Sequence, residues 1–272
     1  MRITDWDDAY ANRDHIEDAE TYVTRWPQDA AAFRADLLGQ GRAELDLAYG
    51  ASTRNRFDLF RPEKIPEGLV VFVHGGYWRT FDKNVWSRFA AGPLNQGWAV
   101  AMPSYTLAPE VPIDTITDEI GAAIEEAAAQ IPGPIRLAGH SAGGHLVTRQ
   151  VCADTALSPA VLQRIQHVVS ISGVHDLRPL LMTTMNDDLR LDVISAAAES
   201  PALLVPVDGA RVTVWVGGDE RPEFVRQSTL LANIWTGLGA DMTQVKEPGR
   251  HHFDVIDGLL EGGSDLTYSL LS

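Results

Sequence analysis

The chain has 272 residues, of which 45% are hydrophobic and 22% charged, a composition ordinary for a folded globular protein. Its formal net charge of −15 argues against nucleic acid and anionic membranes as partners, because both would repel it at long range. The one cysteine, Cys152, excludes an intrachain disulfide, and no apolar run approaches the roughly 20 residues that a membrane span needs. The N-terminus shows no cationic segment followed by an apolar one, so we expect a cytoplasmic protein.

The first part of the chain predicts a helical arm followed by a hairpin. Residues 1–43 are polar with apolar residues at helical spacing, which predicts an amphipathic arm that packs on the main body and could cover a site entrance. Residues 44–50 and 56–61 are short alternating runs that predict a β-hairpin. The continuous apolar run 68–74 is typical of a strand buried on both faces of a parallel sheet.

Helical and strand patterns then alternate to the C-terminus. The predicted helices cover about 84–96, 113–129, 142–153, 222–238 and 253–260, and the predicted strands 98–102, 135–140, 167–172, 211–216 and 243–246. This order predicts an α/β fold: a mostly parallel, doubly wound sheet of about eight strands with helices on both faces. We expect a single domain over 1–272, with residues 174–209 as a small helical cap insertion, since they are too many for a plain connection.

A candidate nucleophile lies between a predicted strand and a predicted helix. Gly139, Ser141 and Gly143 form the pattern G-x-S-x-G, which places a serine on a tight turn where glycines make room for the backbone. The N–H groups at the start of the following helix, beginning with Ala142, would face the serine oxygen. The pattern predicts nucleophilic catalysis if the chain also supplies a base, an acid and a second oxyanion donor.

Residues after the later predicted strands could complete this site. Asp219 follows the strand 211–216 through two glycines and is the first candidate for the acid, with Glu220 and Glu223 as rivals. The candidate bases are His251 and His252, which follow the last strand.

A glycine turn after an early strand is the candidate for the rest of the oxyanion hole. The sequence His-Gly-Gly at 74–76 can bring the N–H of Gly75, Gly76 or Tyr77 to a substrate oxygen, alongside Ala142. A metal site built from the histidine pair is the competing interpretation, but adjacent histidines do not easily share one ion and no H-E-x-x-H spacing occurs. We expect no metal and no cofactor.

With these motifs the chain resembles the kynurenine formamidase (arylformamidase) branch of the α/β-hydrolase fold. The motifs that carry the resemblance are His-Gly-Gly-Tyr-Trp at 74–78, Gly-His-Ser-Ala-Gly-Gly at 139–144, Ser-Gly-Val-His-Asp-Leu-Arg at 172–178, Gly-Asp-Glu-Arg-Pro-Glu-Phe at 218–224 and His-Phe at 252–253. The resemblance implies that Ser141 is the nucleophile, Asp219 the acid and His252 the base, because the family has an aromatic residue directly after its histidine. Two positions depart from the family: His175 stands where a tyrosine is expected, and an additional residue separates Asp219 from Pro-Glu-Phe.

The resemblance also implies a small-molecule substrate, an aryl formamide such as N-formyl-kynurenine, and a role in tryptophan catabolism. Tyr77 and Trp78 would suit a flat aromatic group, and Arg79, Lys83 or Arg178 could pair with a substrate carboxylate. The alternatives are a short-chain carboxylesterase of broad specificity and a catalytically silent receptor of the same fold. A homodimer is possible.

Overall fold

The computed structural model describes residues 3–272, which form one eight-stranded sheet flanked by helices. The strands are β1 Ala43–Ala48, β2 Arg56–Phe60, β3 Leu69–Val73, β4 Ala99–Pro103, β5 Ile135–His140, β6 Ile165–Ile171, β7 Arg211–Gly217 and β8 Asp241–Glu247. The α-helices are α1 Trp6–Tyr10, α2 Ala19–Gly39, α3 Ala91–Asn95, α4 Ile113–Gln130, α5 Ala142–Arg149, α6 Pro159–Leu162, α7 Asn186–Leu189, α8 Val193–Ala198, α9 Pro222–Gly237 and α10 Asp265–Leu271. Short 3-10 helices occupy Arg13–His15, Lys83–Val85, Ser87–Ala90, Arg178–Met182, Pro201–Leu203 and Val255–Leu260.

The sheet order is β1-β2-β4-β3-β5-β6-β7-β8. Only β1 with β2 and β2 with β4 are antiparallel; all the other neighbouring strands in the described residues are parallel. The predicted α/β fold with a mostly parallel, doubly wound sheet is therefore confirmed. Because β3, β5, β6 and β7 run side by side in the same direction, the loops that follow them meet at one edge of the sheet.

The central strands are apolar throughout because helices cover both of their faces. Each residue of β3 is buried, and alternate side chains join two separate apolar clusters, one on each side of the sheet. Val71 packs with the cluster that includes α4 and α5, whereas Phe72 packs with the aromatic cluster around Trp86.

Three helical predictions differ from the structure. The arm is not continuous: within its described residues, α1 and a 3-10 turn precede the long helix α2, and its first two residues lie outside the described part. The predicted helix over 84–96 is two 3-10 turns followed by α3, where Pro93 provides no N–H for a continuous α-helix. The predicted last helix is the 3-10 helix Val255–Leu260, and α10 follows it without having been predicted.

Four short helical segments lie between β6 and β7, in the region where the sequence indicated a cap. They are Arg178–Met182, α7, α8 and Pro201–Leu203.

No helix within residues 3–272 combines the length and the apolar character that crossing a membrane requires.

Candidate active site

Ser141 lies on the sharp turn between β5 and α5. Its backbone has φ 56° and ψ −118°, a strained conformation for a residue other than glycine. A side chain at Gly143 would lie 2.0 Å from the carbonyl oxygen of Val73, and one at Gly139 would lie 2.1 Å from that of Gly143. The turn can therefore form only with glycines at these two positions. The Ser141 N–H donates to the carbonyl of Ile171 at 2.8 Å, which ties the turn to β6.

His252 and Glu220 form a buried pair at the same edge of the sheet. The Nδ1 of His252 lies 2.6 Å from Oε2 of Glu220, and the two side chains are 4% and 0% exposed. Since a carboxylate only accepts hydrogen bonds, Nδ1 carries the proton and donates, which leaves Nε2 as the basic nitrogen. Oε1 of Glu220 accepts from the N–H of Gly217 at 2.8 Å and from the hydroxyl of Ser172.

The prediction that Asp219 orients the histidine is therefore corrected to Glu220. Asp219 is exposed, and within residues 3–272 its carboxylate accepts no hydrogen bond. The physical reason is the turn after β7: the Asp219 N–H donates to the carbonyl of Arg250 at 2.9 Å, and its side chain is left in solvent. Counted from Glu220, the Arg-Pro-Glu-Phe segment follows without the additional residue that the resemblance had indicated. That spacing was the signal in the sequence that favoured Glu220.

His140 lies between His252 and Ser141. It is the residue directly before Ser141, and its ring lies 4.7 Å from the ring of His252. Its Nε2 lies 2.9 Å from the carbonyl oxygen of His252 and donates to it. The His252 ring also packs against Phe224, with a ring-centroid distance of 4.5 Å. In the described residues no hydrogen bond joins the Ser141 hydroxyl to the His252 ring, and such contacts commonly tighten when substrate binds.

The rival base, His251, takes part in local structure instead. Its Nδ1 accepts from the N–H of Phe253 at 3.1 Å and its ring packs edge-on against Tyr22. Its backbone N–H donates to the Asp254 carboxylate at 2.7 Å. The structure therefore brings His252, and not His251, to the buried carboxylate.

The glycine turn after β3 lies directly beside Ser141. A Cβ at Gly75 would be 3.0 Å from that of Ser141. The turn is strained at Tyr77 and Trp78, with φ of 51° and 58°, whereas the φ of 115° at Gly76 is one that glycine adopts freely. Within residues 3–272 the N–H groups of Gly76 and Tyr77 donate to no acceptor, and Ala142, as the first residue of α5, has no intrahelical acceptor for its own. These N–H groups could bind an oxygen that becomes negatively charged near Ser141.

Trp78 holds this turn in place. Its side chain is fully buried, and its Nε1–H donates to Nδ1 of His145 at 3.2 Å. The Nε2 of His145 donates to the carbonyl of Glu199 at 2.6 Å, and burial lowers the pKa of His145 to about 3, so the ring is neutral with a defined tautomer. The Trp78 carbonyl accepts from Ala108 at 2.9 Å. The suggestion that Trp78 binds substrate is corrected, because its indole is enclosed by protein on all sides.

Tyr77 is half-buried and contacts the N-terminal arm. Its hydroxyl donates to the carbonyl of Tyr10 and accepts from the side-chain amide of Asn12 at 3.0 Å. The Tyr10 hydroxyl in turn donates to Glu223 on α9 at 2.8 Å. Sequence analysis placed the arm against the body but did not identify these contacts, because no local motif marks them.

The three cations considered for a substrate carboxylate are already paired with carboxylates of the chain. Arg79 pairs with Asp188 at 2.7 Å, Arg178 with Asp176 at 2.8 Å, and Lys83 with Asp58 at 2.7 Å. Lys83 is also buried, with 4% of its side chain exposed. In this arrangement each positive charge is neutralised within the protein.

The described residues contain no group of three His, Cys, Asp or Glu side chains that could hold a metal ion.

His175, where the family has a tyrosine, is buried with Nε2 3.2 Å from the Ser170 hydroxyl. Cys152 is buried in the core.

The fold and this arrangement define the class of protein. A family model described as alpha/beta hydrolase fold matches residues 70–245, and the chain belongs to that family. It is a hydrolase.

Among known proteins, the chain is similar to kynurenine formamidases. It is 30% identical to that of Salmo salar over 245 residues, covering 86% of this chain and 82% of the relative. It is also 30% identical to that of Danio rerio, covering 84% and 80%. A solved structure of a candidate thioesterase from Silicibacter sp. TM1040 superimposes with a TM-score of 0.94 at 50% identity, over 98% of this chain and 99% of that one.

Proposed function

We propose that the chain is a serine hydrolase that cleaves aryl formamides to an aryl amine and formate, with N-formyl-kynurenine as the model substrate. The observation that carries the proposal is the buried His252–Glu220 pair beside the strained turn that presents Ser141. The similarity to kynurenine formamidases supports the choice of a formamide.

In this proposal Ser141 attacks the formyl carbonyl and His252 accepts its proton at Nε2. Glu220 keeps the other ring nitrogen protonated and stabilises the imidazolium that forms. The negative oxygen of the tetrahedral intermediate is bound by the N–H of Ala142 and by that of Gly75, Gly76 or Tyr77. His252 then protonates the departing aryl amine, which leaves a formyl ester on Ser141. Water, activated by the same histidine, hydrolyses this ester and releases formate.

The ion pairs of the basic side chains indicate which group of the substrate is recognised. Arg79, Arg178 and Lys83 are each paired with a carboxylate of the chain, so none of them carries an unpaired charge that would point to a charged group on the substrate. We therefore propose the aryl formamide group as the recognised feature, with Tyr77 as the accessible aromatic residue of the turn.

A second candidate is the hydrolysis of esters or thioesters. The observation that favours it is the 50% identity to the candidate thioesterase. Both activities use the same acyl-enzyme chemistry and differ in the leaving group, which would be an alcohol or a thiol instead of an amine.

The experiment compares kcat/KM for N-formyl-kynurenine, formanilide, phenyl acetate and S-phenyl thioacetate. We expect the two formamides to be the better substrates, although an amide is intrinsically less reactive than a phenyl ester. Ser141→Ala should lower every value by about 10⁴-fold or more. A strong preference for the thioacetate would replace the formamidase proposal and keep the nucleophile, whereas full activity of Ser141→Ala would overturn the mechanism.

A further inference from the structure

Ser172 directly follows β6, and its hydroxyl donates a hydrogen bond to the buried carboxylate of Glu220. Its side chain is 0% exposed, and its φ of 53° is in the left-handed region, which is unusual for a serine. Its backbone N–H donates to the carbonyl of Trp215 on β7 at 2.7 Å, which fixes the residue relative to the strand that precedes Glu220. Strained backbone at a buried polar residue commonly marks a functional position.

The Glu220 carboxylate is held by hydrogen bonds from three different segments of the chain. Ser172 and the N–H of Gly217 donate to Oε1, while His252 occupies Oε2. In the described residues no lysine or arginine forms an ion pair with Glu220. Its charge and its orientation therefore depend on these donors.

We propose that Ser172 is a positioning residue for Glu220, and through it for His252. A glutamate has one more rotatable bond than the aspartate common in such sites, so its carboxylate needs an additional contact to present Oε2 to the histidine. The hydroxyl of Ser172 supplies that contact. This inference rests on the proposed function, because it gives Ser172 a role in the acylation of Ser141.

Removal of the hydroxyl leaves Oε1 with one donor and allows the carboxylate to rotate. A hydrogen bond to a charged group has a net contribution equivalent to roughly a ten- to hundredfold change in an equilibrium or rate. For Ser172→Ala we therefore expect a fall of about that size in kcat for phenyl acetate, with KM unchanged, since the contact orients the base and does not bind substrate. Ser172→Cys, which keeps a weak donor, should recover part of the loss.

A double-mutant cycle with Glu220→Ala separates positioning from a general structural role. If Ser172 acts through Glu220, then Ser172→Ala should change the rate less than about twofold once the carboxylate is gone. The matched control is Ser170→Ala: Ser170 is also buried on β6, but it contacts His175 and not the acid. We expect the control to retain wild-type kcat, and thermal unfolding of each variant verifies that it is folded.

The readouts distinguish failure of this inference from failure of the proposed function. If a fluorophosphonate does not label wild-type Ser141 and no phenyl ester is hydrolysed, the proposed function fails. Two results with an active wild type would show that Ser172 is not a positioning residue and would leave the proposed function unaffected. In the first, the kcat of Ser172→Ala equals that of the wild type. In the second, Ser172→Ala lowers kcat by the same factor in the presence and in the absence of the Glu220 carboxylate.

Discussion

His140 joins the proposed base to the strand that carries the nucleophile. Its Nε2 donates to the carbonyl of His252, and its Nδ1 is buried without a partner in the described residues. Burial, together with the neighbouring His252, lowers the pKa of His140 well below its ordinary value. The ring is therefore neutral, and its single N–H is committed to the backbone of the loop that holds the base.

This contact predicts different effects for two substitutions of His140. In His140→Gln the side-chain amide can replace the Nε2–H donor, so we expect kcat/KM within about threefold of wild type. In His140→Phe the ring volume remains but the donor is lost, and we expect a loss of about tenfold or more because the loop can shift. Kinetics with phenyl acetate measure both. Equal losses in the two variants would show that the hydrogen bond has no role.

The sharp turn at Ser141 was predictable from sequence because its constraints are local. The turn at Ser141 requires glycines at fixed spacing, and the chain has them at Gly139 and Gly143. The carboxylate that pairs with His252 was predicted wrongly because Asp219 and Glu220 are adjacent in the same loop, and their different spacing to the Pro-Glu-Phe segment was the one local signal that separated them. Which of them faces His252 depends on contacts of that loop with residues distant in sequence, such as Arg250.

The N-terminal arm contacts three of the segments that surround the proposed site. It contacts the glycine turn through Tyr77, the cap region through a hydrogen bond from Thr184 to Asp7 at 2.7 Å, and the segment after Glu220 through an ion pair of Asp8 with Arg221. Most of these contacts are polar and partly exposed. Such contacts contribute little individually, so the exposed segment around Arg13 can open locally, although Tyr10 before it and Trp26 after it are buried in the apolar clusters.

We expect Tyr77→Phe to loosen the arm, because it removes both hydrogen bonds of the hydroxyl to residues 10 and 12. Trypsin should then cleave after the exposed Arg13 several times faster than in the wild type, as measured by mass spectrometry under native conditions. Tyr22→Phe is the control: Tyr22 lies on α2, and within residues 3–272 its hydroxyl forms no hydrogen bond. Unchanged cleavage in Tyr77→Phe, or equal acceleration in the control, would contradict this role of the hydroxyl.

The strands could be predicted from the sequence more accurately than the short helices. The apolar run of β3 and the glycine-bounded segment of β5 are short and are buried along their whole length, as is typical of strands with helices on both faces of the sheet. The segment before β4 instead divides into 3-10 turns and the short α3, where Pro93 provides no N–H and where Phe89 and Leu94 share an apolar cluster with the distant 3-10 helix Val255–Leu260. Tertiary contacts of that kind override local helical periodicity.

Buried neutral histidines predict how the stability of the whole molecule depends on pH. Burial is the main cause that lowers the pKa of His74 and His167 to about 4, and of His145 and His175 to about 3. In the unfolded chain a histidine has a pKa near 6.5, so below that value the unfolded state binds more protons. The stability that these residues contribute is therefore fully present above about pH 6.5 and is lost as the pH falls toward 4.

We expect the free energy of unfolding in urea to fall steeply between pH 6.5 and pH 4.5, by about 1.4 kcal/mol per pH unit for each such histidine. His167→Gln tests this away from the proposed site, since it keeps a donor near the Thr213 hydroxyl and removes one titrating ring. In His167→Gln the free energy of unfolding should fall less steeply with decreasing pH than in the wild type. The difference in slope should correspond to about one proton fewer taken up on unfolding. Identical slopes for the two proteins would show that His167 is not neutral when buried.

The central claim is that Ser141 is a nucleophile activated by His252 and Glu220, and the rate of fluorophosphonate labelling, with peptide mapping of the adduct, tests it most directly. We expect the adduct on Ser141, with a labelling rate about 10³-fold lower in Glu220→Ala. Asp219→Ala should label within about twofold of the wild type, since that side chain is exposed. An adduct on another residue, or a slow Asp219→Ala together with a fast Glu220→Ala, would contradict the account.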